Sequence, residues 1–263
     1  MEKKYVLEFK DIRKSFSGVQ VLNDISFSVE RGKVHALLGE NGAGKSTLMK
    51  ILSGAYTKDG GTISFDGKEI APKNTNDSEK LGISIIYQEL NLIPEISIAE
   101  NIYLHRQPEK YGFVDWKKMN RMAKEMLEKV GLKLKPQELV GRLTVAQQQM
   151  VEIAKALSKD LKPLIMDEPT SSLTDAETKT LFGLIGSLKE KGITIIYISH
   201  RMNEIFEICD SYTVMRDGSV IQSGQLQDTN LDELIKNMVG HDMSQVFPKH
   251  QPRIGEEVLR AEH

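Results

Sequence analysis

Residues 34–52, VHALLGENGAGKSTLMKIL, constrain this chain more than any other stretch. An apolar run reads as a buried strand ending at Gly39, and a helix with Leu48, Ile51 and Leu52 on one side starts a few residues later. The loop between them has the spacing G-x-x-x-x-G-K-[ST] from Gly39 to Ser46. Glycines at 42 and 44 let such a loop turn its backbone N–H groups toward one centre without Cβ clashes. The helix N-terminus adds the positive end of its dipole. A chain of phosphates fits this arrangement: Lys45 reaches the β- and γ-phosphates, and Ser46 offers its hydroxyl to a Mg²⁺ that bridges phosphate oxygens. The candidate contact residues are Gly39, Glu40, Asn41, Gly42, Ala43, Gly44, Lys45, Ser46 and Thr47. The rival reading, a glycine-rich turn without a ligand, is disfavoured by the strand–loop–helix setting.

Other apolar runs read as strands: ISIIYQ (83–88), PLIMDE (163–168) and ITIIYIS (193–199). Helical patterns occupy 45–53, 115–130, 145–158 and 176–190. Strands alternating with helices predict an α/β fold with a mainly parallel sheet covered on its faces. Two regions depart from that alternation. VLEFKDI and VLNDISFSV near the N-terminus alternate in period two, and VMRDGSVIQSG (214–224) reads as an antiparallel hairpin around Asp-Gly. Residues from about 89 to 159 read as a mostly helical block inserted into the core, with Asp115 as N-cap and Gly131 as C-cap of one helix.

Two adjacent acids, Asp167 and Glu168, end the PLIMDE run. Burying both is costly unless a cation or hydrogen bonds compensate. Asp167 therefore reads as a Mg²⁺ residue, and Glu168 as the base that orients and deprotonates an attacking water. A bare charge cluster at the start of the next helix is the alternative. His200 ends ITIIYISH, and in a parallel sheet its strand end faces the same crevice. It is placed to bond a γ-phosphate or the water, although a lone histidine is more often structural. Gln88, at the end of IIYQ, is placed to reach Mg²⁺ and water.

RLTVAQQQMVEIAKAL (142–157) reads as an amphipathic helix capped by Thr144, with Val145, Met150, Val151, Ile153, Ala154 and Leu157 as its apolar stripe. Three glutamines in its first two turns either protect the helix start from fraying or touch a ligand.

The chain has 263 residues, 40% of them hydrophobic, enough for a full core. A net charge of −2 argues against nucleic acid as the main partner. The single cysteine, Cys209, excludes an internal disulfide, fits a reducing compartment and reads as a small buried hydrophobe. The N-terminus has no apolar signal core, and no apolar run approaches the roughly 20 residues that span a bilayer. Any membrane role is expected to pass through a partner.

Taken in order, GENGAGKST, YQE, LTVAQQQ, IMDEPTSSLTD and ISH resemble the motif series of the ATP-binding-cassette (ABC) superfamily's ATP-binding domain, over residues 3 to about 240. LLGENGAGKSTLMKILSG, QQQMVEIAKAL, IMDEPTSSLT and YISHRMNEIFEICD further resemble the first cassette of ATP-binding subunits of bacterial monosaccharide importers, of the ribose, galactose and xylose type. The resemblance implies a P-loop NTPase fold with a mainly parallel core sheet, an N-terminal antiparallel β subdomain and an inserted helical subdomain. It implies a cassette over 1–240, with 241–263 as a linker and the start of a truncated second cassette. VLRA (258–261), an echo of VLEF (6–9), is either that second start or chance.

It implies ATP and Mg²⁺ as cofactors and hydrolysis of ATP to power sugar import, at the inner face of the cell membrane. The partners implied are a second cassette, membrane permease subunits and, indirectly, a sugar-binding protein. Phe16 takes the place of the aromatic that stacks on adenine, although core packing is its plainer role. Residues 89–104 correspond to the edge of a groove that receives a cytoplasmic permease helix, with core packing again the alternative. The family's Leu-Ser-Gly-Gly-Gln, which meets the γ-phosphate on a partner cassette, is here Leu143, Thr144, Val145, Ala146 and Gln147. Thr144 keeps the hydroxyl, and Val145 and Ala146 disfavour any φ > 0 geometry. The family's Ser-Ala-Leu-Asp after Pro-Thr is Ser171, Ser172, Leu173 and Thr174, with Asp175 one place late. A regulatory half-site with little hydrolysis, and a non-transport ABC ATPase, are the competing functions.

Overall fold

The computed structural model describes residues 4–87, 90–159 and 163–240; Gln88 and the tail from 241, both singled out above, lie outside the described residues. The elements run in the order β1 (Tyr5–Phe16), β2 (Val19–Glu30), β3 (Val34–Leu38), α1 (Lys45–Leu52), β4 (Gly60–Phe65), β5 (Lys68–Ile70), α2 (Thr75–Lys80) and β6 (Ser84–Ile86). Next come α3 (Ile98–Ile102), a short hairpin of β7 (Glu109–Lys110) and β8 (Phe113–Val114), α4 (Trp116–Lys129) and α5 (Val145–Leu157). The chain continues through β9 (Pro163–Asp167), α6 (Asp175–Glu190), β10 (Thr194–Ile198), α7 (Met202–Ile208), β11 (Ser211–Arg216), β12 (Ser219–Gln225) and α8 (Leu231–Val239).

Among the described residues the central sheet has the order β12-β11-β3-β10-β9-β6. Its neighbours are parallel except β11–β12, which are antiparallel. The turn between those two holds Asp217 at φ 50 and Gly218 at φ 73, the left-handed pair that an Asp-Gly hairpin requires. A second sheet, β2-β1-β4-β5, is antiparallel throughout.

The sheet divides the core in two. Leu37, Ile165, Ile196 and Ile198 face a cluster with Leu48 and Leu52 of α1 and Leu7 and Ile25 of the antiparallel sheet. Ala36, Leu38, Leu164, Met166, Ile195 and Tyr197 face a second cluster with Ile98, Met119, Val151 and Ile153 of the inserted helices. This is why β3, β9 and β10 are predominantly apolar: both faces of each strand are covered. Among the described residues the inserted block has no separate core but packs through α3, α4 and α5 onto the sheet.

Several sequence expectations change in detail. β6 stops at Ile86, and residues 60–80 and 231–239 hold elements that the pattern did not announce. In the 89–104 stretch Ile98, Ile102 and Tyr103 are core, while Ile93 stays exposed. Val145 leaves the apolar stripe: it is 57% exposed, because the capped start of α5 turns it outward. Asp115 does cap α4, accepting from the Lys118 N–H at 2.9 Å. Among the described residues no helix is long and apolar enough to cross a membrane.

Candidate active site

The strand order β3-β10-β9 puts three chain turns side by side at one rim of the sheet. The glycine loop leaves β3, His200 follows β10, and Asp167 and Glu168 end β9. Gly39 packs so closely that a Cβ there would sit 2.2 Å from the Met215 carbonyl oxygen. Gly44, at φ 98, caps α1 in the left-handed region that glycine tolerates. The first turn of α1 holds no acidic residue, so its free N–H groups keep their attraction for an anion. Ser46 stands exposed in that turn.

Lys45 folds back into the loop and donates to the Gly39 carbonyl at 2.7 Å and the Glu40 carbonyl at 3.0 Å. Burial pushes its ammonium below the usual lysine range, against the opposing pull of Asp167, Glu168 and Glu40. Burial, reinforced by the neighbouring Glu168 charge, pushes the Asp167 carboxyl up, and Lys45 and Lys50 offset part of this. Such an acid, poorly solvated and beside another acid, is a donor that a divalent cation suits.

Glu168 adopts φ 47, a region costly for a residue with a Cβ and one that marks constrained sites. Its N–H donates to the Ile198 carbonyl at 2.9 Å, fastening the end of β9 to that of β10. Glu168 Oε1 lies 3.0 Å from His200 Nδ1. The lysine, two acids and histidine expected from sequence thus share one rim.

Phe16 ends β1 and is 38% exposed, so it is a surface ring and not core. It meets Tyr56 in a T-shaped pair with a centroid separation of 5.2 Å. Asp59 fixes the strand end by accepting from the Ser15 N–H at 2.6 Å and from Lys14 Nζ at 2.8 Å. The sequence pattern signals neither Tyr56 nor Asp59, because the loop after α1 brings them close only on folding.

The start of α5 has a different character. Thr144 Oγ1 accepts from the Gln147 N–H at 3.2 Å, and Gln147 Oε1 accepts from the Thr144 N–H at 3.0 Å, a reciprocal capping box. Gln148 donates to the Val140 and Leu143 carbonyls, and Gln149 is buried. Two of the three glutamines therefore hold the helix start and its preceding turn. Among the described residues no hydrogen bond or ion pair joins Thr144 or Gln147 to the glycine loop of the same chain. Thr174 is the N-cap of α6, boxed with Glu177, and Asp175 is the first residue of that helix.

A family model described as ABC transporter matches residues 22–171. The ribose import ATP-binding protein RbsA of Geobacillus kaustophilus is 48% identical over 259 residues, which cover 98% of this chain and 52% of that protein. The xylose import ATP-binding protein XylG of the same organism is 44% identical, with coverages of 98% and 52%. Among solved structures, an ATP-binding cassette of an ABC transporter in its ADP conformation is 26% identical with a TM-score of 0.75, covering 91% of this chain and 100% of that one. The chain spans about half the length of the curated relatives it matches.

Proposed function

The chain belongs to the ABC transporter family, and from that premise we propose that it binds and hydrolyses ATP to power import of a monosaccharide through partner membrane subunits. The observation that carries this reading is the rim itself: Glu168 paired to His200 at 3.0 Å, beside a glycine loop with Lys45 turned into it.

The triphosphate lies along residues 39–47, held by main-chain N–H groups and by Lys45, which exchanges its two carbonyl partners for phosphate oxygens. The adenine ring stacks on Phe16, which is exposed at the end of β1. Ser46, Asp167 and Gln88 would hold Mg²⁺, which when bound neutralises charge on the β- and γ-oxygens. Glu168 accepts the proton of the attacking water, and His200, on the same carboxylate, orients it toward the γ-phosphate.

The α5 N-terminus, with Thr144 and Gln147, faces the γ-phosphate of a second cassette, in the same longer protein or in a second copy. The permease meets the trough between α2 and α5, where Ser84, Tyr87, Asn91, Glu152 and Lys155 line the wall. That contact puts residues 1–240 on the inner face of the membrane, with residues 241–263 as the linker toward the second cassette.

Two substitutions test the reading. Lys45→Ala is expected to abolish tight ATP binding in a titration with a fluorescent nucleotide. Glu168→Gln is expected to bind ATP normally and lose turnover by roughly 10²-fold or more. Unchanged affinity in the first, or near-normal turnover in the second, removes the corresponding assignment.

A further inference from the structure

Behind the rim lies a buried carboxylate that neither the phosphate loop nor the acids of β9 require. Glu204, in the first turn of α7, is 6% exposed. Its Oε1 accepts from Thr170 Oγ1 at 2.7 Å and from Arg201 Nη1 at 3.4 Å. Its Oε2 accepts from the Tyr197 hydroxyl at 2.8 Å and from Ser199 Oγ at 3.0 Å. Thr170, Tyr197 and Ser199 are buried as well.

The donors come from both sides of the reacting pair. Thr170 stands two residues beyond Glu168, in the turn that leaves β9. Tyr197 lies in β10, and Ser199 and Arg201 flank His200 on either side. Ser199 Oγ also accepts from the Arg201 N–H at 3.1 Å, which closes the turn around His200. One carboxylate thus spans the two loops whose side chains meet in the 3.0 Å Glu168–His200 contact. Hydrogen bonds to a buried carboxyl group in a low-dielectric interior are directional, so they transmit position as well as energy.

We infer that Glu204 is a positioning residue for hydrolysis: it holds the turn after Glu168 and the turn around His200 in one frame, without touching nucleotide. The inference rests on the ATPase reading above. Glu168 keeps φ 47 only while its surroundings over-determine it, and the Thr170–Glu204 bond is one of those constraints. A misplacement of about 1 Å at a reacting group is enough to lower turnover by orders of magnitude.

The test uses Glu204→Gln and Thr170→Val in the full chain. Glu204→Gln keeps the shape but replaces one acceptor oxygen with an amide. Thr170→Val removes only the bond from the β9 side. Expected are a kcat at least about tenfold lower in each, with nucleotide Kd within about twofold of the parent, and a double variant no worse than the poorer single one. The His200 imidazole resonances, read by NMR without nucleotide, are expected to shift in both variants. That readout needs no turnover, so it separates this inference from the ATPase reading: a chain that binds no ATP sinks the latter alone. Should Glu204→Gln not fold, Thr170→Val decides. Unmoved His200 resonances, parent-like kcat, or kcat losses that add fully would overturn the inference.

Discussion

At the scale of single residues, charge state follows from where a side chain is enclosed. His35 is buried in β3, stacked on Phe27 and in contact with Ser211 Oγ at 2.8 Å and Thr213 Oγ1 at 3.0 Å. Burial pushes its imidazole down to about 4, so the fold favours the neutral ring. The unfolded chain titrates near 6.5 and binds the proton first as pH falls. Its contribution is therefore complete above about pH 6.5 and is lost as pH drops toward 4. At pH 5 the loss is about 2 kcal/mol. Urea unfolding at pH 7.5 and 5 is expected to show a shallower pH dependence in His35→Gln than in the parent; equal slopes would refute it. Asp167, Glu168 and His200 are legible in sequence because apolar runs announce the strand ends that carry them. Glu204 is not, since an acid in a helix's first turn reads as a surface charge until Thr170, Tyr197 and Ser199 close over it.

At the scale of elements, the start of α5 is a helix terminus first. Its Thr144–Gln147 box satisfies free N–H groups without any φ > 0 residue, so Val145 and Ala146 fit where the family has glycines. Thr144→Ala is expected to cost about 1 kcal/mol, read as a melting-temperature drop of about 2–4 °C, while Thr144→Ser restores most of it. No change in melting temperature would show that the box is idle. The elements that sequence patterning identifies are those with a clean period or turn: β1, β2, β3, β6, β9, β10, the β11–β12 hairpin, α1, α4, α5 and α6. β4 opens with two glycines, so only Ile63 and Phe65 carry a local strand signal and its extent is set by pairing with β1 and β5. α8 does carry signals, with Asn230 as N-cap, Gly240 in the left-handed region and Leu234 and Met238 on one side. Its short length beside the strand–helix alternation upstream hides them.

At the scale of the molecule, one sheet rim gathers the glycine loop, the acids and the histidine, while the α5 terminus stands on the inserted helical block. If a second copy's terminus completes each rim, ATPase activity per chain should climb with protein concentration and fall on dilution. A flat profile would show that one chain suffices. The alternation that makes the architecture readable, Ile195 and Tyr197 toward the helical block and Ile196 and Ile198 toward α1, has a mechanical corollary. Consecutive peptide units of β10 are wedged between opposite halves of the interior. Force applied by a neighbour on the helical side therefore crosses to the side of α1 within a single strand, and no hinge or loop need relay it.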